Sequence, residues 1–396
     1  MVKVKIERYS NQLEGIGHVD GKVIFVPKTK IGDIVNVKIT EEKSKYYRGV
    51  ITDVNKNVDC PYFYECGGCH LRHLDYDMTL LLKKNNFKDL LLKNNLYIKD
   101  IKVFENNNSF NYRNKVSLKI VDKKIGYYQE KTNNIVEIDN CLIIKDVIND
   151  FISEISKFKI NNGSIMIRTN YNDELLISIT TDDQINFDFE SLKENFKIAG
   201  VVINKNAVLN DDFIIDKIGD TLFKISYDSF FQVNNYGASK IVEVIKNNID
   251  ESDEVLDLYC GVGTIGLSIA KNVKKVLGVE IVPNAIRNAL ENVKMNNITN
   301  AEFVLGDVSK VVDKIKNKFN TIIVDPPRAG LDENTKRFIT ENSPEKIIYV
   351  SCNPITLVRD LNDLSEMYKV EDVSIVDMFS YTYHCESVCV LERKSK

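Results

Sequence analysis

The apolar run "KIIYVSC" ends on Cys352, and Asn-Pro follows at once. A cysteine in that position is either a small core residue or a nucleophile at the mouth of a parallel sheet, able to attack an electrophilic carbon once its thiol is activated. "VDPPRAGL" ends a second apolar run, so Asp325 leaves it into two prolines that fix the backbone. A rigid loop at the carboxyl end of a strand is where substrates sit in open α/β sheets, and the alternative is a stiff structural turn. In "YHCESVCV", Glu386 enters an apolar strand. A carboxylate there is costly unless paired or working, which makes it a candidate general base. Arg328 and Arg359 are candidate sources of positive field for the thiol. His384, one of four histidines, reads as a packing or surface residue.

"DLYCGVGTIGLSIA" reads as strand, glycine turn and helix, with Gly261 and Gly263 letting the backbone approach a ligand. Glu280 closes the next strand in "GVEI", where a carboxylate can hold the hydroxyls of an adenosine ribose. Asp307 follows the third strand in "LGD" and can accept from an adenine amino group. Glycine loop and two acidic strand ends together fit an S-adenosylmethionine (SAM) site. NAD is the structural rival, but no second nucleotide-binding half follows.

"CPYFYECGGCH" spaces Cys60, Cys66 and Cys69 as C-x5-C-x2-C, and Cys141 is the remaining cysteine outside the C-terminal part of the chain. Four thiolates suit a [4Fe–4S] cluster or structural zinc. His70 and His73 keep zinc open, while a triad with one remote ligand favours iron–sulfur. Cys260, Cys385 and Cys389 read as packing residues.

The elements that must position these groups fall into three parts of the 396-residue chain. Residues 1–56 are short strands with glycine turns, expected to close as an OB-like β-barrel. Residues 57–222 carry the cysteines, a helical stretch from Thr79 to Asn95 and several strands, an α+β unit. Residues 223–396 alternate strands and helices, which predicts an α/β doubly wound, mostly parallel, Rossmann-like sheet. The net charge of −4 argues against a nucleic-acid partner overall. Residues 1–56 nevertheless hold eleven Lys/Arg against seven Asp/Glu, and a local basic face can bind phosphates. No segment approaches membrane-span length and the start, "MVKVKIERYS", is no signal peptide, so a cytoplasmic protein is expected. In that compartment the eight cysteines are better ligands or catalysts than disulfides. No protein partner is evident, and a monomer is expected.

This ordered set resembles the RNA 5-methyluridine (uracil-C5) methyltransferase family, the ribosomal-RNA and tRNA uracil-C5 enzymes. The likeness runs through an N-terminal TRAM barrel, the C-x5-C-x2-C cluster with its distant fourth cysteine, "SFFQVN", "DLYCGVGT", "VDPPRAG", "VSCNP" and "HCES". The resemblance implies Cys352 as nucleophile and Glu386 as general base. It implies Gln232, Tyr259, Glu280 and Asp325 at the SAM site, and Phe230 stacked on a flipped uracil. Cys60, Cys66, Cys69 and Cys141 match the family's [4Fe–4S] ligands. Because the tRNA branch typically lacks barrel and cluster, the resemblance implies 23S ribosomal RNA as partner. The implied chemistry is addition of Cys352 to C6, methyl transfer to C5, removal of the C5 proton by Glu386, and elimination. A tRNA uracil or cytosine-C5 enzyme is the rival within methyl transfer; cytosine enzymes also use cysteine, but a second "PC" motif is missing where this chain has "DPPR". An iron–sulfur RNA-binding protein without turnover is the rival from another class.

Overall fold

Alternating polar and apolar residues in the first fifty positions build a six-stranded antiparallel-rich sheet in a computed structural model that describes residues 1–53, 57–130 and 132–395. Its strands run Val2–Lys5, Ile34–Glu42, Tyr46–Ile51, Lys22–Val26, Gly15–Val19 and Arg8–Tyr9 in spatial order. The sheet curls so that Val4, Ile6, Ile24, Val26, Val37 and Tyr47 share one core. Gly17 permits the curl: a Cβ there would lie 2.4 Å from the Lys5 carbonyl oxygen. The expected boundary between residues 56 and 57 falls at residues 54–56, outside the described set.

A seven-stranded sheet follows, in the order Ile135–Glu137, Lys124–Tyr128, Lys115–Val121, Gly163–Thr169, Glu174–Thr180, Lys197–Ile203 and Asn206–Asn210. Successive side chains of a strand point to opposite faces. Val116, Leu118 and Ile120 therefore meet Ile148, Phe151 and Ile152 of the helix Asp146–Ile155, while Ser117 and Lys119 face a cavity.

The third sheet has the strand order Ala301–Leu305, Lys275–Glu280, Glu254–Leu258, Thr321–Val324, Lys346–Ser351, Glu386–Arg393, Tyr368–Val376 and Lys102–Phe104. The first five are mutually parallel and Glu386–Arg393 is antiparallel, as an α/β doubly wound sheet with a reversed end requires. Two elements from the stretch expected to form the central unit join this sheet. Lys102–Phe104 pairs with its outer strand. The helix Tyr76–Lys93 buries Phe87 and Leu91 in the core that holds Leu256, Ile322 and Leu361. On the same helix Lys83 pairs with Asp377 at 2.5 Å, both side chains buried, and the Tyr76 hydroxyl donates to the other oxygen of Asp377 at 2.7 Å. Among the described residues no helix is long and apolar enough to cross a membrane.

Candidate active site

The order of the parallel strands reverses between Glu254–Leu258 and Thr321–Val324, and the crevice outside such a reversal is where ligands bind. The turn after Glu254–Leu258 is forced into shape by three left-handed residues, Tyr259 (φ +65), Gly261 (+56) and Gly263 (+81). A Cβ on Gly263 would meet Leu267 and Phe303 at 2.9 Å, whereas one on Gly261 would meet nothing. Gly261 is thus required for its backbone and leaves open space beside it. Glu280 is held across this turn. Its carboxylate accepts from the Gly261, Ile281 and Val282 amides at 3.0, 2.8 and 2.9 Å, which leaves one of its roughly four acceptor positions for an incoming hydroxyl. Asp307 caps a short helix, accepting from the Ser309 amide at 3.1 Å and hydroxyl at 2.8 Å. These bonds and Lys310 hold its carboxyl below the usual carboxylate range. The Tyr259 hydroxyl reaches Thr335 and Asp332 at 3.4 and 3.5 Å, leaving its ring at the cavity wall.

Asp257, one residue inside the strand, accepts from the Gly266 amide at 2.9 Å through one oxygen, while the other is buried with no partner. Burial, then the Asp325 and Glu280 carboxyls, push it up to about 7. A carboxyl raised on folding costs stability progressively as pH rises from its unfolded value, near 4, to its folded one. The three-unit rise corresponds to about 4 kcal/mol at most. Asp257→Asn keeps an acceptor for Gly266 and is expected to flatten the fall of Tm between about pH 4 and pH 7; identical slopes for variant and parent would show that this carboxyl stays ionised.

The nucleophile and base candidates meet through strand register. Lys346–Ser351 and Glu386–Arg393 are antiparallel with Ser351 opposite Ser387. Extending that ladder by one residue sets Cys352 across from Glu386. Directly opposed residues carry Cβ atoms about 5 Å apart. Cys352 is partly exposed and Glu386 buried. Asp325 follows the adjacent strand, so three acids share one small volume. Burial and the Glu386 and Asp325 carboxyls push the Cys352 thiol up; the nearby Arg328 guanidinium pulls the other way. Burial and Asp325 raise Glu386 well above the carboxylate range, and burial raises Asp325. The expected activated thiol is therefore protonated in the ligand-free protein. Arg328 supplies the positive field, but Arg359 does not. Arg359 is held by Asp360 at 2.8 Å and by the Ala329 carbonyl at 2.9 Å, bracing the loop that carries Arg328. Asn353 explains the Asn-Pro after Cys352. It caps the helix Pro354–Leu364 by accepting from the Ile355 amide at 3.2 Å, and its Nδ2 donates to the Arg328 carbonyl at 2.8 Å.

Phe230 projects into the cavity with 67% of its surface exposed, while its neighbour Phe231 is buried against Phe223. The loop is anchored by groups the sequence did not single out. Arg168, fully buried, donates to the Ser229 carbonyl at 3.3 Å, and Asn114 donates to the Gln232 carbonyl at 3.1 Å. No local spacing marks either residue, because each acts from the seven-stranded sheet.

One cavity of ≈ 1250 Å³ joins all these groups. Its lining includes Gln232, Tyr259, Gly261, Glu280 and Asp307, then Phe230, Asp325, Arg328, Cys352 and Glu386, and also Cys60, Cys66, Cys69 and Cys141. The four cysteines are free and partly buried, and burial raises all four thiols, Cys69 to about 12. Among the described residues no three His, Cys, Asp or Glu groups stand close enough to hold a metal ion. The cysteine loop is tied on both sides. Lys28 of the barrel donates to the Phe63 and Cys66 carbonyls at 2.7 and 3.1 Å. The His70 and Leu71 amides both donate to the Tyr381 carbonyl at 2.9 Å. His73 turns toward the barrel, its Nε2 3.2 Å from the Thr29 carbonyl oxygen. His384 packs between Tyr383 and Phe379, and burial lowers it to about 4, so it is neutral. Cys260, Cys385 and Cys389 are buried.

The profile of the tRNA (Uracil-5-)-methyltransferase family matches residues 75–394, and that of the TRAM domain matches residues 1–52. A Clostridium acetobutylicum protein described as an uncharacterized RNA methyltransferase is 33% identical over 450 aligned positions, covering 100% of this chain and 97% of that protein. A similarly described protein of Halalkalibacterium halodurans is 32% identical, again covering 100% and 97%. The crystal structure of the Pyrococcus abyssi tRNA (uracil-54, C5)-methyltransferase in complex with S-adenosyl-L-homocysteine superposes with a TM-score of 0.81 at 28% identity, covering 98% of this chain and 100% of that one.

Proposed function

The chain belongs to the tRNA (uracil-5-)-methyltransferase family and is a SAM-dependent RNA uracil-C5 methyltransferase; on that premise we propose that it methylates C5 of uridine in 23S ribosomal RNA, in the cytoplasm, through a covalent adduct of Cys352 with C6 of a flipped uracil. The observation that carries the mechanism is Cys352 opposite Glu386 on one ladder, inside the cavity that also holds Tyr259, Gly261 and Glu280.

The residues fit SAM: Gly261 leaves open space, Glu280 keeps one acceptor position, and the Tyr259 ring suits a sulfonium. When bound, SAM supplies an electrophilic methyl group. Cys352 first gives its thiol proton to water; its Sγ then forms a bond to C6 while the C5–C6 π electrons shift onto C5 and O4. Once C5 carries the methyl group, the Glu386 carboxylate takes the C5 proton, the S–C6 bond breaks, and Cys352 leaves as thiolate. Arg328 favours that thiolate. The exposed ring of Phe230 offsets part of the few kcal/mol that unstacking a base costs.

For the substrate, the four thiols, through the resemblance to the cluster-bearing branch, support ribosomal RNA. The second reading is transfer RNA. The Pyrococcus abyssi tRNA enzyme aligns with this chain end to end, so a barrel-length N-terminal part does not set ribosomal enzymes apart. Nucleoside mass spectrometry after incubating unmodified 23S and tRNA transcripts with protein and SAM decides. New 5-methyluridine in 23S supports the proposal, and product in tRNA alone transfers the mechanism to the second reading.

Cys60, Cys66, Cys69 and Cys141 all line the cavity and match in kind the all-thiolate donor set of a [4Fe–4S] cluster, although among the described residues no three such groups stand close enough to hold a metal ion; we propose that the cluster draws them together. Anaerobically purified protein is expected to be brown with about four irons per chain, and Cys69→Ser to lose both. Colourless protein carrying zinc would assign the thiols to zinc.

A further inference from the structure

A second cavity of ≈ 160 Å³ shares Arg328, Cys352 and His384 with the first, so the two meet at the candidate nucleophile. Its lining takes Phe87 and Leu90 from the helix Tyr76–Lys93, Ile355, 54% exposed in the first turn of Pro354–Leu364, and Tyr383. The barrel adds an exposed rim, Asn11 and Gln12, with Asn86 also in the lining.

This rim is built rather than loose. Leu13, at φ +56, is buried with Leu71 and Leu74, and Tyr383 packs on the same cluster. Ser10 Oγ accepts from the Gln12 and Glu14 amides at 3.1 Å. Asn86 Nδ2 donates to the Asn11 carbonyl at 2.8 Å. Yet among the described residues the side-chain amides of Asn11 and Gln12 make no hydrogen bond, and Asn86 Oδ1 accepts none. A lining of apolar and aromatic side chains with solvent-facing amide donors and acceptors suits a planar heterocycle with a hydrogen-bonding edge. Single-stranded RNA bases are held in this way, stacked on aromatic rings and read on their edges by amides. The volume takes one ring system, and Arg328 stands at the junction where a backbone phosphate would pass.

We infer that this pocket holds the base of the nucleotide adjoining the target uridine, with Asn11 and Gln12 reading its edge and Tyr383 stacking on it. The barrel then contributes sequence discrimination beside the nucleophile. This rests on the uracil-C5 reading for what fills the first cavity, but its test uses affinity, not turnover.

The experiment measures Kd of the full chain for short single strands with one uridine, comparing an intact neighbour with an abasic one on the 5′ or the 3′ side. Loss of the base on one side is expected to weaken binding roughly 5- to 150-fold, the range of one stacked or bidentate contact. Asn11→Ala/Gln12→Ala is expected to erase most of that difference, as is Tyr383→Leu, which keeps the apolar contact with Leu13 and Leu71. Equal affinity for all three strands, or an unchanged difference in both variants, overturns the inference. A flank preference without any methyl transfer would overturn the catalytic reading and leave this one standing.

Discussion

Cys352→Ala is expected to abolish methyl transfer while leaving SAM affinity and folding intact. The substitution removes the atom proposed to bond C6, and the neighbouring thiol does not replace it: Cys385, the cysteine next to Glu386, is 3% exposed and packs in the apolar core. Without the adduct, C5 of uracil is too weak a nucleophile for a sulfonium methyl. The expected fall is at least about four decades in kcat, or some 5.5 kcal/mol of barrier. Single-turnover transfer of labelled methyl to RNA measures it, with calorimetric SAM binding as the control. Turnover above about one part in a thousand would rule out Cys352 as an obligatory nucleophile.

Glu386→Gln is expected to divide the reaction. Addition and methyl transfer need Cys352 and remain possible, whereas removal of the C5 proton does not. The variant should accumulate RNA bound to protein through denaturing electrophoresis, with release slowed by about 10²- to 10⁴-fold. The pH dependence has a definite sign. In the free protein burial raises Glu386 well above the carboxylate range and Cys352 above the usual thiol range, so a rise in pH favours the ionised form in which each would act. Parent kcat/KM is therefore expected to rise with pH across the neutral range. An adduct-free variant with parental release rates would assign the proton to another group, and Asp325 is the carboxyl next to it.

Much of this site is legible from strand ends. Cys352, Asp325, Glu280 and Asp307 each follow or close an apolar run, and a parallel sheet sends all such ends to one side. Partnership is less legible. That Glu386 faces Cys352 depends on the antiparallel register of Ser351 with Ser387, and period-two patterning carries no register between distant strands. The state of the thiol is not legible either, because it is set by the balance of two carboxyls and Arg328 in three dimensions. Arg359 looked as useful as Arg328 in the sequence, but its neighbour Asp360 claims it. Asp307 shows how one residue type serves two readings: an acid after a strand fits an adenine, while the same acid two before Ser309 is a helix cap. The helix near Thr79–Asn95 was recognisable by composition, yet its destination was not.

That destination bears on how the protein is made. Lys83 and Asp377 are 294 residues apart in the chain. At a synthesis rate of about 5–20 residues per second, Lys83 is added to the chain roughly 15–60 s before its partner exists. Over that interval the core that Phe87 and Leu91 enter is incomplete, lacking Cys385, Cys389 and Leu391, and the edge that Lys102–Phe104 will pair with is among the last parts translated. The sheet thus closes only after Glu386–Arg393, which lies inside it, has been made. Until then the nascent chain presents an unfinished apolar helix of the kind that holdase chaperones cover.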